Sequence, residues 1–466
     1  MEPLWNSRPA SAENDLPEEV DDVVVGAGFT GLATALLLAR SGRRVVVLEA
    51  RRIGAAASGR TTGKVSLLQG TKLSRMLSIT SERVAAAYLE QNREGAAWLR
   101  RFCEGAVVPI QWRSALTYAA DDSELSRARK EHDAASRLGL PVVWQDRVDV
   151  PFPVSGATVL ADQFQLDPSK ALAALVVDLR AHGGVLVEGV RVVGVSWSGH
   201  EVEVEGGARV RTSDVVLATG SPVLDRGLYF AKLEAQRSYL IGYRTAIDLP
   251  GMMLSAGRHG RSLRDVPDVD GTDLLVGGAG HVVGRQNPTG RQLDELRDWA
   301  RRYLPDAVET HAWSAQDYRS HDGIPYVGRL PRGAGNIYLA TGYDKWGIAN
   351  AIGSALRLAG QILGSTPDWA RPLERRITRP RAAAEVVLTN ARTGIAASRS
   401  WIALGFKSAT GNSPADREVV PVCTHLGGAL CWNEVEESWD CPLHGSRFDR
   451  TGAVLEGPAV KGLTRR

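Results

Sequence analysis

Residues 23–50 read VVVGAGFTGLATALLLARSGRRVVVLEA. A short β-branched run at 23–25 meets a glycine turn, an apolar stretch of helical length follows over 29–41, and a second β-branched run occupies 45–48. Gly42 stands where the C-cap of that helix is expected. This order predicts a βαβ unit. Because both strands are unbroken apolar runs, it also predicts a parallel sheet covered on both faces.

Three glycines of this unit, Gly26, Gly28 and Gly31, form the pattern G-x-G-x-x-G. The first allows the turn, the second lets the backbone approach a pyrophosphate, and the third allows the helix to pack closely on the strand. Glu49 ends the second strand, where its carboxylate can accept hydrogen bonds from a ribose hydroxyl. The pattern predicts a dinucleotide site, with a bare packing turn as the alternative, and it leaves NAD and FAD both open.

The composition places the chain among globular proteins of several domains. At roughly 100–200 residues per domain, its 466 residues suggest two to four domains. Apolar residues make up 44% and charged residues 23%, and no apolar run reaches the roughly 20 residues that span a bilayer. Basic residues exceed acidic ones by 56 to 53 and are spread along the chain. We therefore expect no nucleic-acid partner and no membrane contact.

The N-terminal segment and the cysteines bear on cellular location. Residues 1–22 are acidic and polar and lack the apolar core of a signal peptide, so we predict a polar extension and a cytoplasmic protein. Four cysteines are too few for a disulfide framework. Cys103 is predicted to be structural and Cys431 to be buried packing or an ordinary thiol.

Near the end of the chain, Cys423-x-His425 and Cys441-x-x-His444 are separated by fifteen residues. Two thiolates and two imidazoles in paired loops predict a metal centre, and a structural zinc site is chemically possible with these ligands.

Four blocks of the chain resemble the D-amino-acid-oxidase-like family of FAD-dependent oxidoreductases, which includes glycine and sarcosine oxidases. They are VVVGAGFTGLATA, LEARRIGAAASGRTTGKV, DVVLATGS, and DGIPYVG with NIYLATGYDKWGIANAIGSA. The resemblance covers roughly residues 23–364. It implies noncovalent FAD, because the turn that carries a flavin-linking Cys in some sarcosine oxidases has none here.

The resemblance also implies which residues contact FAD. The cofactor contacts would be Gly26, Gly28, Phe29, Thr30, Gly31, Glu49, Ala50, Arg51, Ser58, Gly59, Arg60, Thr61, Thr62, Val190, Ala218, Thr219, Gly220, Gly342, Tyr343, Lys345, Trp346, Gly347 and Ile348. Backbone amides of the turn at 342–347 would stabilise negative charge on the reduced flavin. The candidate catalytic residues are Tyr239, His281, Tyr343 and Lys345, with Tyr243 and His321 as further substrate contacts. The alternatives are a structural role for each histidine, packing for Tyr239 and Tyr243, and a solvated turn residue for Lys345.

The block CTHLGGALCWNEVEESWDCPLHGSRFD resembles a Rieske [2Fe–2S] domain. By that resemblance Cys423 and Cys441 hold one iron, and His425 and His444 hold the other. High-potential Rieske proteins link the two loops by a disulfide, and they carry a tyrosine that donates to a ligand sulfur. Those positions are held here by Gly428, Leu443 and Phe448, which implies a reduction potential toward the lower part of the Rieske range. The text over 400–422 is interpreted as strands upstream of the ligands.

These patterns predict an α/β fold with a Rossmann-like FAD-binding domain, an inserted α+β substrate domain built on an antiparallel sheet, and a small all-β C-terminal Rieske domain. A long helix is predicted over about 73–102. The expected boundaries are an extension at 1–22, an FAD-binding domain at 23–95, 156–228 and 318–366, a substrate domain at 96–155 and 229–317, a linker at 367–380, and the Rieske domain at 381–466.

The two resemblances together imply an oxidoreductase that oxidises a small amine, amino acid or related CH–NH or CH–OH substrate by hydride transfer to FAD. The cluster would relay single electrons to or from an external carrier protein. Two alternatives stay open: a flavin monooxygenase or tailoring enzyme that receives electrons through the cluster, and a redox adaptor that has no substrate.

Overall fold

The computed structural model describes residues 1–7, 15–258, 260–266, 271–285, 290–374, 380–409 and 419–466. The strands of these residues are β1 Asp22–Val25, β2 Val45–Glu49, β3 Lys64–Val65, β4 Ile110–Ala119, β5 Val143–Gln145, β6 Gly156–Leu166, β7 Val185–Glu188, β8 Val192–Val195, β9 Glu201–Val204, β10 Arg209–Arg211, β11 Asp214–Leu217, β12 Leu233–Arg244, β13 Met252–Ser255, β14 Ser262–Asp265, β15 Leu274–Val282, β16 Val308–Ser320, β17 Tyr326–Arg329, β18 Ile337–Thr341, β19 Cys431–Asn433, β20 Ser438–Asp440, β21 Arg447–Asp449 and β22 Val454–Glu456. The α-helices are α1 Phe29–Arg40, α2 Lys72–Ile79, α3 Glu82–Gly105, α4 Asp122–Arg137, α5 Pro168–Ala181, α6 Arg291–Tyr303, α7 Gly347–Ile362, α8 Arg371–Glu374 and α9 Pro380–Ala409.

The βαβ unit lies at the centre of a six-stranded sheet with the order β17-β18-β11-β1-β2-β7. β1 pairs in parallel with β2 and β11, and only β17 at the edge runs antiparallel to its neighbour. Every residue of β1 is buried, because α1, α5 and α7 cover one face of the sheet and the small β8–β9–β10 sheet covers the other. The Rossmann-like domain and its doubly covered parallel sheet are confirmed.

The second large sheet has the order β16-β12-β15-β14-β13-β4-β6-β3, with β5 paired to β6. Its pairs are antiparallel except β13 with β4, which is parallel. β6 lies in this sheet although residues 156–228 were expected in the FAD-binding domain. We therefore propose that the second FAD-binding segment begins at α5, and we retain the other boundaries as proposals.

Three local expectations differ from the structure. The helix expected over about 73–102 is two helices, α2 and α3, because Ser81 has extended backbone and caps α3 by accepting from the Val84 amide. The N-terminal extension is polar in composition, yet Trp5 is buried and donates from Nε1 to the Thr61 carbonyl at 2.7 Å. Residues 8–14 of that extension lie outside the described residues.

The region expected to be linker and upstream strands is largely helical. α8 lies within the expected linker, and α9 covers residues 380–409, so the strand interpretation of the text from Ser400 to Ala409 was wrong. Pro380 suits the first position of a helix, and the alanine-rich text after it has high helix propensity. Among the helices that the structure describes, none combines the length and apolar character required to cross a membrane.

The C-terminal unit is a four-stranded antiparallel sheet, β19-β20-β21-β22, around a core that includes Trp439 and Phe448. The all-β expectation holds for this unit. It docks on β12 and β16, whose residues alternate between two faces. Arg237 and Gln316 are register partners on these strands, and both contact the C-terminal unit.

The docked surface contains a buried cluster of charges. Arg237 donates to Glu436 at 2.6 Å, and its side chain is fully buried. Arg447 contacts the same Glu436 at 2.6 Å, together with Asp440 and Glu456 at 3.3 Å each. Burial would raise the pKa of Glu436, but Arg447 and Arg237 outweigh this effect and hold the pKa at about 2. Glu436 is therefore a carboxylate shared by two arginines, one from each side of the contact.

The Glu436→Gln substitution tests this contact. Removing one partner of a buried ion pair typically costs about 3–5 kcal/mol, so the free energy of unfolding should fall by roughly 3 kcal/mol at neutral pH. Because the folded-state pKa is lowered from 4.5 to about 2, the wild-type contribution is complete above pH 4.5 and is lost as the pH falls toward 2. Urea unfolding at pH 6 and pH 3 measures both effects. Glu437→Gln changes the exposed neighbour and is the matched control, and equal stability of the two variants would contradict the assignment.

Candidate functional site

The glycine turn after β1 opens the N-terminus of α1 to a ligand. Gly28 is the N-cap residue and has no side chain to cap the helix, and the first turn has no acidic residue. A Cβ at Gly28 would lie 2.8 Å from Ser58 Oγ, and Ser58 Oγ also accepts from the Phe29 amide at 3.1 Å. A Cβ at Gly31 would lie 1.9 Å from the Gly26 carbonyl, so that glycine serves packing. This cradle of amides and a hydroxyl fits a phosphate group.

Glu49 is held beside this turn by two backbone amides. Its Oε2 accepts from Ala27 and its Oε1 accepts from Arg51, both at 2.9 Å. Burial raises the pKa of Glu49, and these two hydrogen bonds oppose that effect. Each oxygen has a further lone pair for a ribose hydroxyl.

A second helix N-terminus faces the same space from the turn before α7. Tyr343 ties the turn to α1 through a 2.7 Å hydrogen bond between its hydroxyl and Thr30 Oγ1. Asp344 and Lys345 have left-handed backbone, with φ of 54° and 69°. The Lys345 amide donates to the half-buried Asp317, whose pKa is raised to about 6 by desolvation. No side chain caps α7, so its first amides can stabilise a negative group.

Both N-termini border one cavity of about 660 Å³. Among the residues expected to contact FAD, only Gly31, Gly59 and Gly342 do not line it. Three candidate catalytic residues, Tyr239, Tyr343 and Lys345, line it as well. A Cβ at Gly280 would lie 2.6 Å from Lys345 Nζ and 3.3 Å from Ser238 Oγ, so the ammonium lies against β12 and β15. Burial lowers the pKa of Lys345.

The other candidates lie away from the cavity. His281 stacks on Tyr239 with ring centroids 5.8 Å apart, and it is buried behind that ring. His321 is hydrogen-bonded to the Tyr326 hydroxyl at 2.6 Å and lies near α9. Tyr243 is buried in the core of the substrate domain. These three residues do not line the cavity, so the structure does not bring their side chains into contact with a ligand bound there.

The sequence patterns did not single out Lys64, which also lines the cavity. Its Nζ donates to Ser262 Oγ at 2.7 Å and to the Met253 carbonyl at 2.9 Å, and burial lowers the pKa of Lys64 to about 7. The sequence signal that could have pointed to Lys64 is the rarity of lysine, because the chain has eight lysines and 48 arginines. Three of the eight, Lys64, Lys72 and Lys345, line this one cavity.

The four expected cluster ligands form two pairs. Cys423 and Cys441 are buried side by side, and the hydrogen bond from Cys441 lowers the pKa of Cys423 to about 6. His425 and His444 have ring centroids 5.4 Å apart. Among the described residues, no group of three or more His, Cys, Asp and Glu side chains is arranged to hold a metal ion. A thiolate pair and an imidazole pair fit the two irons of a Rieske cluster, which takes two protein donors at each iron.

The loops around these ligands match the expected departures from high-potential Rieske proteins. A Cβ at Gly428 would lie 2.8 Å from the Leu443 side chain. Gly428 and Leu443 therefore pack against each other at the positions that the loop disulfide would join. Ser446 is buried and its hydroxyl hydrogen-bonds Cys423. Phe448 is fully buried.

The imidazole pair faces the flavin-binding part of the chain. His425 Nε2 lies 2.9 Å from Asp225 Oδ1. The ring of Phe230 lies 5.3 Å from His425 and 4.9 Å from His444, edge to face with both. Sequence reasoning missed Asp225 and Phe230 because nothing in their local pattern indicates a contact with residues about 200 positions away.

The C-terminal unit also reaches the FAD cavity itself. Leu455, Glu456, Gly457 and Ala459 form part of the cavity wall. Gln316, another lining residue, donates from Nε2 to the carbonyl of Gly445 at 2.7 Å, directly after the expected ligand His444. One glutamine side chain therefore joins the cluster loop to the cavity.

Comparison with known proteins agrees with this geometry. The family model described as "FAD dependent oxidoreductase" (DAO) matches residues 21–361, and the model described as "Rieske [2Fe-2S] domain" matches residues 413–465. YhfW of Bacillus subtilis strain 168, named as a Rieske 2Fe-2S iron-sulfur protein, is 27% identical over 96% of this chain and 93% of its own length. Glycine oxidase of Pseudomonas aeruginosa is 29% identical over 74% of this chain and 95% of its own length.

Among solved structures, L-proline dehydrogenase from P. horikoshii superposes with a TM-score of 0.64 at 19% identity. It covers 77% of this chain and 96% of its own length, so the fold is shared across the flavin-binding and substrate domains. The Rieske match decides between the cluster and the zinc alternative in favour of the cluster. The chain therefore belongs to the FAD dependent oxidoreductase family, and it is an oxidoreductase enzyme that uses FAD and carries a [2Fe–2S] cluster in a C-terminal Rieske domain.

Proposed function

We propose that this enzyme oxidises a small amino acid at its CH–NH bond and that the electrons leave one at a time through the Rieske cluster to an external carrier protein. The observation that carries the proposal is the shared wall, because residues 455–457 and Ala459 of the Rieske domain border the FAD cavity. Gln316 adds a hydrogen-bonded connection from that cavity to the cluster loop. We place the reaction in the cytoplasm, a reducing compartment that suits four cysteines without a disulfide.

The chemistry that the cofactors supply is a conversion between electron pairs and single electrons, since FAD takes a hydride and a Rieske cluster passes one electron at a time. The substrate loses a hydride and a proton, water hydrolyses the resulting imine to a carbonyl compound and an amine, and two single electrons reach the carrier. Gly28 and Ser58 would hold the FAD phosphates, and Glu49 would accept a hydrogen bond from a ribose hydroxyl. The amides that begin α7 stabilise negative charge.

Lys345 is the proposed anchor for the substrate. Its ammonium lies in the cavity beside Ser238, and no described residue pairs with it as an ion. A substrate carboxylate bound in the cavity would pair with this ammonium. The relatives named for glycine and L-proline act on small amino acids by name, which supports a substrate of this class.

Lys64 is the proposed proton acceptor. A protonated amine does not readily release a hydride, so a base must accept a proton from the substrate amine before oxidation. Because burial lowers its pKa to about 7, Lys64 has a neutral Nζ at slightly alkaline pH, while Ser262 and Met253 fix that atom at the cavity wall. Asp225 and Phe230 are proposed positioning residues, which orient the imidazole pair toward the flavin-binding domain.

Anaerobic titration with small amino acids and with the amines that lack their carboxylate tests the function. The amino acids should bleach the flavin absorbance, and the EPR signal of the reduced cluster should grow in the same turnover.

Lys345→Met should weaken amino-acid binding by about ten- to a hundredfold, because hydrogen bonds to charged groups are worth roughly 1.5–3 kcal/mol. Lys130→Met, on the exposed face of α4, is the control. Flavin reduction with a cluster that stays oxidised would contradict the relay, and stoichiometric peroxide in air would indicate an oxidase.

The pH dependence of flavin reduction tests Lys64. Since the neutral amine is the active form, the rate should rise with pH through about 7 and fall tenfold per unit below it. Lys64→Met keeps an apolar chain of similar length and should lose this pH limb together with most of the rate. A variant that keeps the wild-type pH profile would show that another group holds the proton.

The reduction potential of the cluster tests Asp225. A carboxylate beside a ligand histidine stabilises the more positive oxidised cluster, so Asp225→Asn should raise the potential by tens of millivolts in an EPR-monitored titration. Asp248→Asn, in the exposed loop after β12, controls for a general change of charge. An equal potential in both variants would remove Asp225 from this role.

A further inference from the structure

The outer face of α9 is the largest collection of exposed apolar side chains on one described element. Fifteen large hydrophobic residues are exposed among the residues whose exposure is described, and five of them are in this helix. They are Val387, Leu388, Ile395, Trp401 and Ile402, with exposed fractions between 45% and 70%. Single exposed apolar residues are ordinary on a protein surface, but five on one helix mark an interaction site.

Three of these residues lie on one line of the helix surface, and the other two lie on one flank of it. Leu388, Ile395 and Ile402 are spaced by seven residues and therefore follow one line along the helix surface. Arg392 and Arg399 lie between them on the same line, and both are exposed. Val387 and Trp401 lie about 100–140° around the helix from this line, on the flank that also carries Asn390. The face is a band of alternating apolar and basic side chains, which we call the α9 outer face.

The opposite side of α9 packs against other segments of the chain. The outer face is therefore the exposed side of a helix that has tertiary contacts. Asn390 donates from Nδ2 to the Ala231 carbonyl at 2.9 Å, and Thr393 Oγ1 accepts from Arg285 at 2.6 Å. Arg285 also donates to the carbonyl of Pro442 in the cluster loop. α9 is thus fixed to the segments around the cluster, with the outer face directed away from them.

The charge on the outer face determines what can cover it. Between Leu388 and Ile402 the sequence has no acidic residue, and Arg392 and Arg399 form no ion pair with a side chain that the structure describes. A second copy of the same face would bring arginines against arginines with no carboxylate between them. An anionic surface with an apolar interior satisfies both features, because the apolar side chains enter it while the guanidinium groups bind its headgroups.

We propose that the α9 outer face binds the surface of an anionic lipid bilayer and lies in its interface without crossing it. The even distribution of charge along the whole chain led us to predict no membrane contact. Composition of the whole sequence could not reveal this face, because its residues come together on one side only when the helix forms. This inference does not depend on the proposed reaction. Its consequence is that the Rieske domain operates close to a membrane surface.

Vesicle binding by the full-length holoprotein tests the proposal. The protein should sediment with vesicles that contain phosphatidylglycerol, but not with pure phosphatidylcholine, and high salt should weaken the binding. Replacing Ile395 and Ile402 together by Gln should weaken binding by tenfold or more, because each loses a buried aliphatic side chain. Arg392→Gln and Arg399→Gln should each weaken it by about fivefold.

The controls are Val177→Gln, which changes an apolar residue exposed by 63% on α5, and Arg209→Gln on the exposed edge strand β10. Both should bind as the wild type does, and unchanged flavin and cluster absorbance should confirm that every variant is folded. Absence of binding to the anionic vesicles, or equal binding by all variants, would overturn the proposal. A concentration-dependent dimer that the Ile395 and Ile402 substitutions abolish would overturn it in favour of a second copy of the chain.

Discussion

The relation between the two redox sites depends on the buried charge cluster of Arg237, Glu436 and Arg447. Arginines from both sides of the contact share one carboxylate whose side chain is only 5% exposed. Desolvation of buried charges is costly, and such a cluster contributes less net stability than well-packed apolar residues would. The charge cluster fixes the orientation of the Rieske domain, since any rotation of the domain would leave at least one of these charges unpaired in the interior.

That orientation explains why the Rieske domain forms part of the FAD cavity wall. β12 and β16 present Arg237 and Gln316 to the domain while the same strands line the cavity, so one pair of strands serves both sites. Close packing at Gly445, where a Cβ would lie 2.2 Å from Ala235, brings the cluster loop directly onto β12. The fold places a site for two-electron chemistry and a site for one-electron transfer on opposite sides of a two-stranded wall.

Much of the fold, and most of the residues that line the cavity, could be predicted from the sequence because their patterns are local. A glycine turn between a strand and a helix specifies its own geometry, and the spacing of Cys423, His425, Cys441 and His444 specifies two loops. Lys64 escaped prediction because its low pKa comes from burial under strands that are distant in sequence. Asp225 and Gln316 act across a contact between domains. The strand interpretation of residues 400–409 failed because these residues continue a helix, in which exposed apolar residues such as Trp401 and Ile402 do not follow strand periodicity.

The central claim is that electrons pass between FAD and the cluster within one docked chain. Laser photoreduction of the flavin in the anaerobic holoprotein, with the cluster followed by its absorbance, measures this transfer directly. The account predicts that the cluster is reduced in a first-order process whose rate is the same at every protein concentration. A cluster that stays oxidised, or a rate that increases in proportion to concentration, would show that the two centres exchange electrons only between molecules or not at all.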